Sequence, residues 1–295
     1  MSTATLTIRS PAKLNWYLHV REAREDGFHD LETVFQELDL HDDLVFESVG
    51  GTEDCEIHGF PHDIPHESNL IFRAWKLLRD SYPGRVSGIR VEVNKRIPRG
   101  GGLGGGSSNA ATTLVALDAL YQLSLPSHVL ESLGSELGSD VPFFIRGGTA
   151  IGRGRGELLE SLPASHQFHL LLLFPPHGIS TSEAYQRLDE LGTRRESVHS
   201  IEGIQRALLI GNPYRLAAAI HNDFEPAVQS EPWFRDSVSA LDRVGCLRAF
   251  LCGSGSTVAG LGKDNHHCVE MSERLCNILP YTQSVTCTLA GRRTS

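Results

Sequence analysis

At 295 residues the chain is long enough for two cored domains, and 40% hydrophobic with 21% charged residues is a globular balance that excludes wholesale disorder. A formal charge of −9 argues against a general nucleic-acid or anionic-membrane binder. No run of roughly 18 apolar residues is present to span a bilayer, and cysteines 55, 246, 252, 268, 276 and 287 lack CxxC spacing, which predicts buried free thiols.

In chain order, "MSTATLTIRSPAKLNWYLHV" has neither the basic nor the apolar region of a targeting segment, so a cytoplasmic location is the default expectation. Within it "TLTIRS" and "LNWYLHV" read as strands, and "LETVFQELDLHDDLVFE" as a longer strand pair. "SNLIFRAWKLLRDSY" has helical spacing at Leu70, Ala74, Leu77 and Leu78, with Ser68 as its expected cap. "IRVEVNKRIP" alternates as a strand, and "SSNAATTLVALDALYQL" predicts a helix whose start suits Ser107, Ser108 and Asn109. "SHVLESLGSELGSDVPFFIRGG" predicts a helix, a Gly-Ser break and a short apolar strand; "GTAIGRGRGELLESL" predicts a strand leading into a junction. From "FHLLLLFPP" a second unit is expected, with helices near 181–191, 200–210, 213–221 and 265–278 and strands near 168–174, 247–252, 257–262 and 282–289. The expected division is 1–153 and 154–295. His266, His267 and Cys268 fall at a helix start, where adjacent side chains do not converge on one ion.

Six of the seven residues from Gly100 to Gly106 are glycine. A linker joins polar regions, whereas this run is bracketed by a strand and a helix. Gly100, Gly102 and Gly105 satisfy GxGxxG, but Asp118 lies inside the following helix, not where a ribose is held, and no Gly-Lys-Ser/Thr completes a Walker loop. What remains is a phosphate cradle. Consecutive N–H groups can turn toward one point, the helix dipole favours an anion there, and Ser107 or Ser108 can reach phosphate or a phosphate-bound Mg²⁺.

"PRGGGLGGGSSNAAT" resembles the phosphate-loop motif of the GHMP kinases, P-x-G-x-G-L-G-S-S-A-A. Further segments agree in order: "SPAKLNWYLHV", "REDGFHDLETVFQELDLHD", "SNLIFRAWKLL", "GSDVPFF", "NDFEPAV" and "FLCGSGSTVAGL". The resemblance implies an α+β fold of two domains, an N-terminal ATP-binding domain and a C-terminal ferredoxin-like substrate domain, with the site in a cleft. It implies ATP and Mg²⁺ as cofactors, no nucleic-acid or membrane partner, and a monomer or weak homodimer. The doubled glycines and "DGFH" resemble the branch that phosphorylates the 2-hydroxyl of a CDP-linked methylerythritol in non-mevalonate isoprenoid synthesis. The alternatives are a homoserine, mevalonate or sugar kinase of the same family, an NAD-dependent dehydrogenase, and a non-catalytic nucleotide-binding relative.

Read alone, Asp140 is more often a turn or cap residue, and Lys13 a solvated strand residue. The resemblance makes Asp140 the base or orienter of the acceptor hydroxyl, with Lys13 holding it ionised and Asn15 on the same side of the strand. Pro98, Gly100, Gly101, Gly102, Leu103, Gly104, Gly105, Gly106, Ser107 and Ser108 are expected around the phosphates. Asn69, Leu70, Ile71 and Lys95 match the adenine side. Phe28 and Tyr185 are expected to stack on the cytosine and His29 to hydrogen-bond it, with Thr181 and Gly253 beside the acceptor. Phe28 and Tyr185 depart from the family's commoner tyrosine and phenylalanine, and Cys252 stands where serine or threonine is commoner.

Overall fold

A computed structural model describes residues 5–60, 64–163, 166–192 and 200–289. Packing separates Met1–Ala12, Leu40–Arg99 and Gly104–Gly147 as one unit from Lys13–Asp39, Gly100–Leu103 and Gly148–Ser295 as the other. β1 (Thr5–Ala23) and β2 (His29–Val49) are each a single long strand shared by both units, where pairs of shorter strands are expected. Pro11 does not break β1, because a fixed φ suits extended backbone. The polar residues of His41-Asp42-Asp43 do not break β2, because the Asp42 carboxylate is buried on the amides of Arg96 and Ile97, both at 2.8 Å.

In the first unit, β3 (Cys55–His58) runs parallel to β4 (Gly88–Asn94), and β4 runs antiparallel to the distal half of β2, with Asp43 opposite Asn94 and Val49 opposite Gly88. The helices are α1 (Leu70–Ser81), α2 (Gly105–Leu120), α3 (Ser127–Leu137) and α4 (Val141–Arg146). Helix α2 packs against the other three and is buried around its whole girth from Ser108 to Leu114, so it carries small residues and no polar stripe. Asn69, not Ser68, caps α1, its Oδ1 accepting from Ile71 N at 3.0 Å; Ser68 belongs to a preceding 3-10 turn. The apolar run after Asp140 is helix α4, not the strand expected. Pro142 occupies its first turn, where no N–H is needed, and Val141, Phe143 and Phe144 turn inward.

In the second unit, β5 (Thr149–Arg153) pairs antiparallel with the proximal half of β2 and forms a hairpin with β6 (Leu158–Ser161). β7 (His169–Phe174) leads through α5 (Thr181–Glu190), α6 (Ile201–Ile210) and α7 (Pro213–Ala219) to β8 (His221–Asn222), which lies parallel to β1. Then come α8 (Glu225–Val228), α9 (Pro232–Val244), β9 (Arg248–Leu251), β10 (Val258–Leu261), α10 (Asn265–Leu275) and β11 (Thr282–Cys287). The second sheet is antiparallel in the order β11-β7-β10-β9. Numbered along the chain, that is the 4-1-3-2 order of a ferredoxin-like domain. Leu171 and Leu173 of the continuous apolar strand β7 share one core with Leu241 and Val244 of α9 and Met271 and Leu275 of α10. Helix α9 is absent from the expected elements, although its buried Trp233, Phe234, Ser237, Ala240, Leu241 and Val244 trace one helical face.

All six cysteines are free: Cys55, Cys252 and Cys268 are buried as expected, Cys246 and Cys287 are half-buried, and Cys276 is exposed. Among the described residues no helix is long and apolar enough to cross a membrane.

Candidate active site

The glycine run passes from β4 toward α2 and alternates in hand. Gly100, Gly102 and Gly104 hold φ of 67°, 74° and 69°, the alternation by which successive amides form an anion-binding concavity. Gly104 is the left-handed residue that starts α2. Gly102 answers a second demand: a Cβ there would lie 1.9 Å from the carbonyl oxygen of Cys252. The backbone of this segment is pinned on both sides, Lys13 N donating to Leu103 O at 2.9 Å and Thr257 N to Gly101 O at 3.2 Å. Asp118 lies within α2, where its carboxylate takes Leu125 N at 2.9 Å, so the ribose-binding acid of a dinucleotide site is not supplied there.

Around the start of α2 the first unit builds a buried polar cluster. Asp42 accepts Lys95 Nζ at 2.8 Å, and Lys95 also donates to Ile97 O. Burial pulls the Lys95 ammonium below its ordinary pKa, with Asp42 opposing that shift. This is not a solvated strand lysine: its Nζ stands 3.2 Å from where a Cβ on Gly105 would sit. The Asn109 amide, oriented to satisfy its neighbours, donates to Ser10 Oγ at 2.7 Å and Asp42 Oδ2 at 3.1 Å. Ser10 Oγ in turn donates to Ser108 Oγ at 2.8 Å. Ser108 is therefore buried and engaged, while Ser107 keeps partial access. Ser107 Oγ lies 3.9 Å from a Cβ built on Gly138, two residues before Asp140. Asp140 has helical backbone at the head of α4, φ −82° and ψ −15°. Leu70 reaches the first turn of α2 at Gly106, and Asn69 is committed to capping α1.

In the second unit Lys13 is buried, and a chain of hydrogen bonds directs it. Its Nζ donates to Asn15 Oδ1 at 2.9 Å, Asn15 Nδ2 to Thr33 Oγ1 at 2.7 Å, and Thr33 Oγ1 to Tyr17 O at 2.7 Å. The ammonium also sits 5.4 Å from the Phe35 ring centroid. Gly253, in the turn joining β9 and β10, is confined by this group: its Cβ would lie 2.9 Å from Gly102 O and 3.5 Å from Lys13 Nζ. Burial pushes the neighbouring Cys252 thiol up to about 12, against the attraction of Lys13, so it stays protonated and is no nucleophile at neutral pH. Buried Asn222 holds the turn, donating to Leu251 O at 2.9 Å and Gly253 O at 2.8 Å while accepting Phe224 N at 2.9 Å. Thr181 Oγ1 meets Ser254 Oγ at 3.0 Å. Sequence reasoning misses both Thr33 and Asn222. The only available signal is polar residues at positions where strand alternation predicts burial.

The residues expected to receive a base also lie in this unit. The His29 ring stacks on Tyr185 at 4.9 Å and 22°, and Tyr185 stands edge-on to Phe224 at 4.9 Å. His29 Nε2 meets Asp189 Oδ1 at 3.0 Å. Phe28 is 52% exposed, and the Arg155 guanidinium lies over its ring at 4.9 Å. Tyr185 thus faces His29, whereas Phe28 carries a cation.

The fold and this glycine-rich loop define a class. The GHMP kinases N terminal domain matches residues 69–148, and the GHMP kinases C terminal domain matches residues 201–280. The chain is 38% identical to the 4-diphosphocytidyl-2-C-methyl-D-erythritol kinase of Mycolicibacterium gilvum (strain PYR-GCK), over 88% of this chain and 82% of the relative. To the kinase of that name from Thermodesulfovibrio yellowstonii it is 40% identical, over 87% of this chain and 89% of the relative. A crystal structure of 4-(cytidine 5'-diphospho)-2C-methyl-D-erythritol kinase superposes with a TM-score of 0.81 at 32% identity, covering 97% of this chain and 100% of that one. L. major mevalonate kinase shares the fold, with a TM-score of 0.79 at 15% identity over 98% of this chain and 97% of that one. The chain belongs to the GHMP kinases. It is an ATP-dependent kinase of small molecules, which removes the dehydrogenase and the non-catalytic alternatives.

Proposed function

We propose that the chain transfers the γ-phosphoryl group of ATP to the 2-hydroxyl of 4-diphosphocytidyl-2-C-methyl-D-erythritol, a step of non-mevalonate isoprenoid synthesis. The observation that carries this reading is identity of 38–40% along nearly the whole chain to kinases of that name. The stacked His29–Tyr185 pair supports it, since an aromatic face with an adjacent imidazole suits a nucleobase. Asp189 against Nε2 leaves Nδ1 of His29 to hydrogen-bond a cytosine edge.

In this reading the amides of Gly100 to Gly106, with the head of α2, take the phosphates of ATP. Asn69, Leu70, Ile71 and Lys95, in the unit that carries α2, face the nucleotide. Asp140 orients the acceptor hydroxyl or takes its proton as the new O–P bond forms and the bond to the β-phosphate oxygen breaks. Lys13, directed by Asn15 and Thr33, supports the charge of that step. Mg²⁺ would neutralise phosphate charge when bound with ATP, and the accessible Ser107 hydroxyl fits it better than the engaged Ser108.

The deciding assay measures ATP consumption with the CDP-linked polyol beside homoserine, mevalonate and galactose. Turnover confined to the CDP-linked substrate is expected; turnover confined to one of the others overturns the assignment. Asp140→Asn should keep the fold and lose at least ~100-fold in kcat.

A further inference from the structure

We propose that His19, His221 and Asp223 form a site for one borderline divalent cation of the Zn²⁺, Co²⁺ or Ni²⁺ class. None of the three has a part in the reaction above. In the parallel pairing of β1 with β8, Tyr17 stands opposite His221 and Leu18 opposite Asn222. Asp223 N extends the pairing by donating to Leu18 O at 3.0 Å. Strand alternation therefore gathers Tyr17, His19, His221 and Asp223 on one face.

The three ligand atoms lie within 4.8 Å of one another. His19 Nδ1 is 2.8 Å from Asp223 Oδ2, and His221 Nε2 is 2.6 Å from Oδ1. Ligands of one tetrahedral ion at ordinary metal–ligand lengths stand about 3.3 Å apart. Opening the two carboxylate contacts by less than about 1 Å, with the two ring nitrogens brought to the same spacing, admits the ion, each ring carrying its proton on the far nitrogen. Supporting contacts are in place. The Val20 amide donates to Asp223 Oδ2 at 2.8 Å, fixing the carboxylate as ligating carboxylates are usually fixed. The Tyr17 ring lies 5.6 Å from that of His221 and limits its rotation.

Side-chain exposures of 16%, 24% and 20% for His19, His221 and Asp223 leave an entry path. Two imidazoles and a carboxylate suit Zn²⁺, Co²⁺ or Ni²⁺; Mg²⁺ prefers oxygen ligands and its own water. The site is thus chemically distinct from that of the nucleotide's metal.

Calorimetric titration of the full chain with Zn²⁺, in excess Mg²⁺ and without nucleotide, tests the proposal independently of the substrate assignment. One saturable site is expected, weakened about tenfold or more in His19→Gln and in His221→Gln. Glutamine can still donate to Asp223, so these variants keep the tie between the strands while removing a ligand. Zn²⁺ should raise the Tm of the wild type and not of the variants. Should a variant fail to fold, ring resonances of the wild type's fourteen histidines decide the matter, with shifts expected at His19 and His221. The proposal is overturned by the lack of saturable binding below about 1 mM, by undiminished binding in both variants, or by ring shifts elsewhere that leave this pair unmoved. The cluster is then only a hydrogen-bonded tie between β1 and β8.

Discussion

Two glycine turns serve the candidate site, and they use the residue differently. In the loop at 100–106, Gly100 has open space around a would-be Cβ, and its glycine supplies only a left-handed dihedral. In the turn at 252–256, Gly253 supplies a positive φ and room together, because Gly102 O and Lys13 Nζ crowd it. Gly102 belongs to the first turn by sequence and to the second by contact. A glycine that supplies a dihedral costs strain when replaced, whereas one that supplies room costs the position of a neighbouring backbone.

Substitutions at these positions separate the two uses. Gly102→Ala should have the largest effect, more than about 3 kcal/mol of stability with at least ~100-fold in kcat/KM, since strain adds to overlap with the Cys252 carbonyl. Chemical denaturation beside steady-state kinetics measures both; near-native behaviour would refute the close approach. Asn222→Asp comes next, at about 2 kcal/mol, because it leaves the carbonyls of Leu251 and Gly253 without their donor. If Asn222 matters through the turn it braces, kcat should fall more than the KM for ATP. Gly100→Ala should cost about 1 kcal/mol from the dihedral alone, with little change in unfolding cooperativity. Gly106→Ala should stabilise α2 by about 0.5 kcal/mol, its Cβ meeting Leu70 at an ordinary 3.4 Å. The same methyl beside the proposed phosphates should raise the KM for ATP, so a thermal melt and a kinetic assay should move in opposite senses.

Elements with strong periodicity are legible in the sequence. The helical spacing of α1, the apolar run of β7 and the hairpin around the 252–256 turn stand where their patterns put them. Local pattern fails where distant partners decide. A short apolar stretch such as Val141–Arg146 suits strand or helix equally, and packing of Phe143 and Phe144 selects the helix. Asp42 looks like a break within β2 until the amides of Arg96 and Ile97 arrive from more than fifty residues away. The turn between β4 and α2 could be read from spacing because its glycines are contiguous in the chain. The support of Lys13 through Asn15 to Thr33 is written in residues 18 apart and could not.

Strand β8 is only two residues long, yet its neighbours on either hand depend on it. His221 and Asp223 point toward His19, while Asn222 between them points the other way to the glycine hairpin. A frame slip of one position would exchange these audiences, presenting an amide to the imidazole and a carboxylate to the hairpin carbonyls. Inserting or deleting a single residue between Ala219 and His221 should therefore disable both faces at once, which sets this short segment apart as one where length matters more than composition.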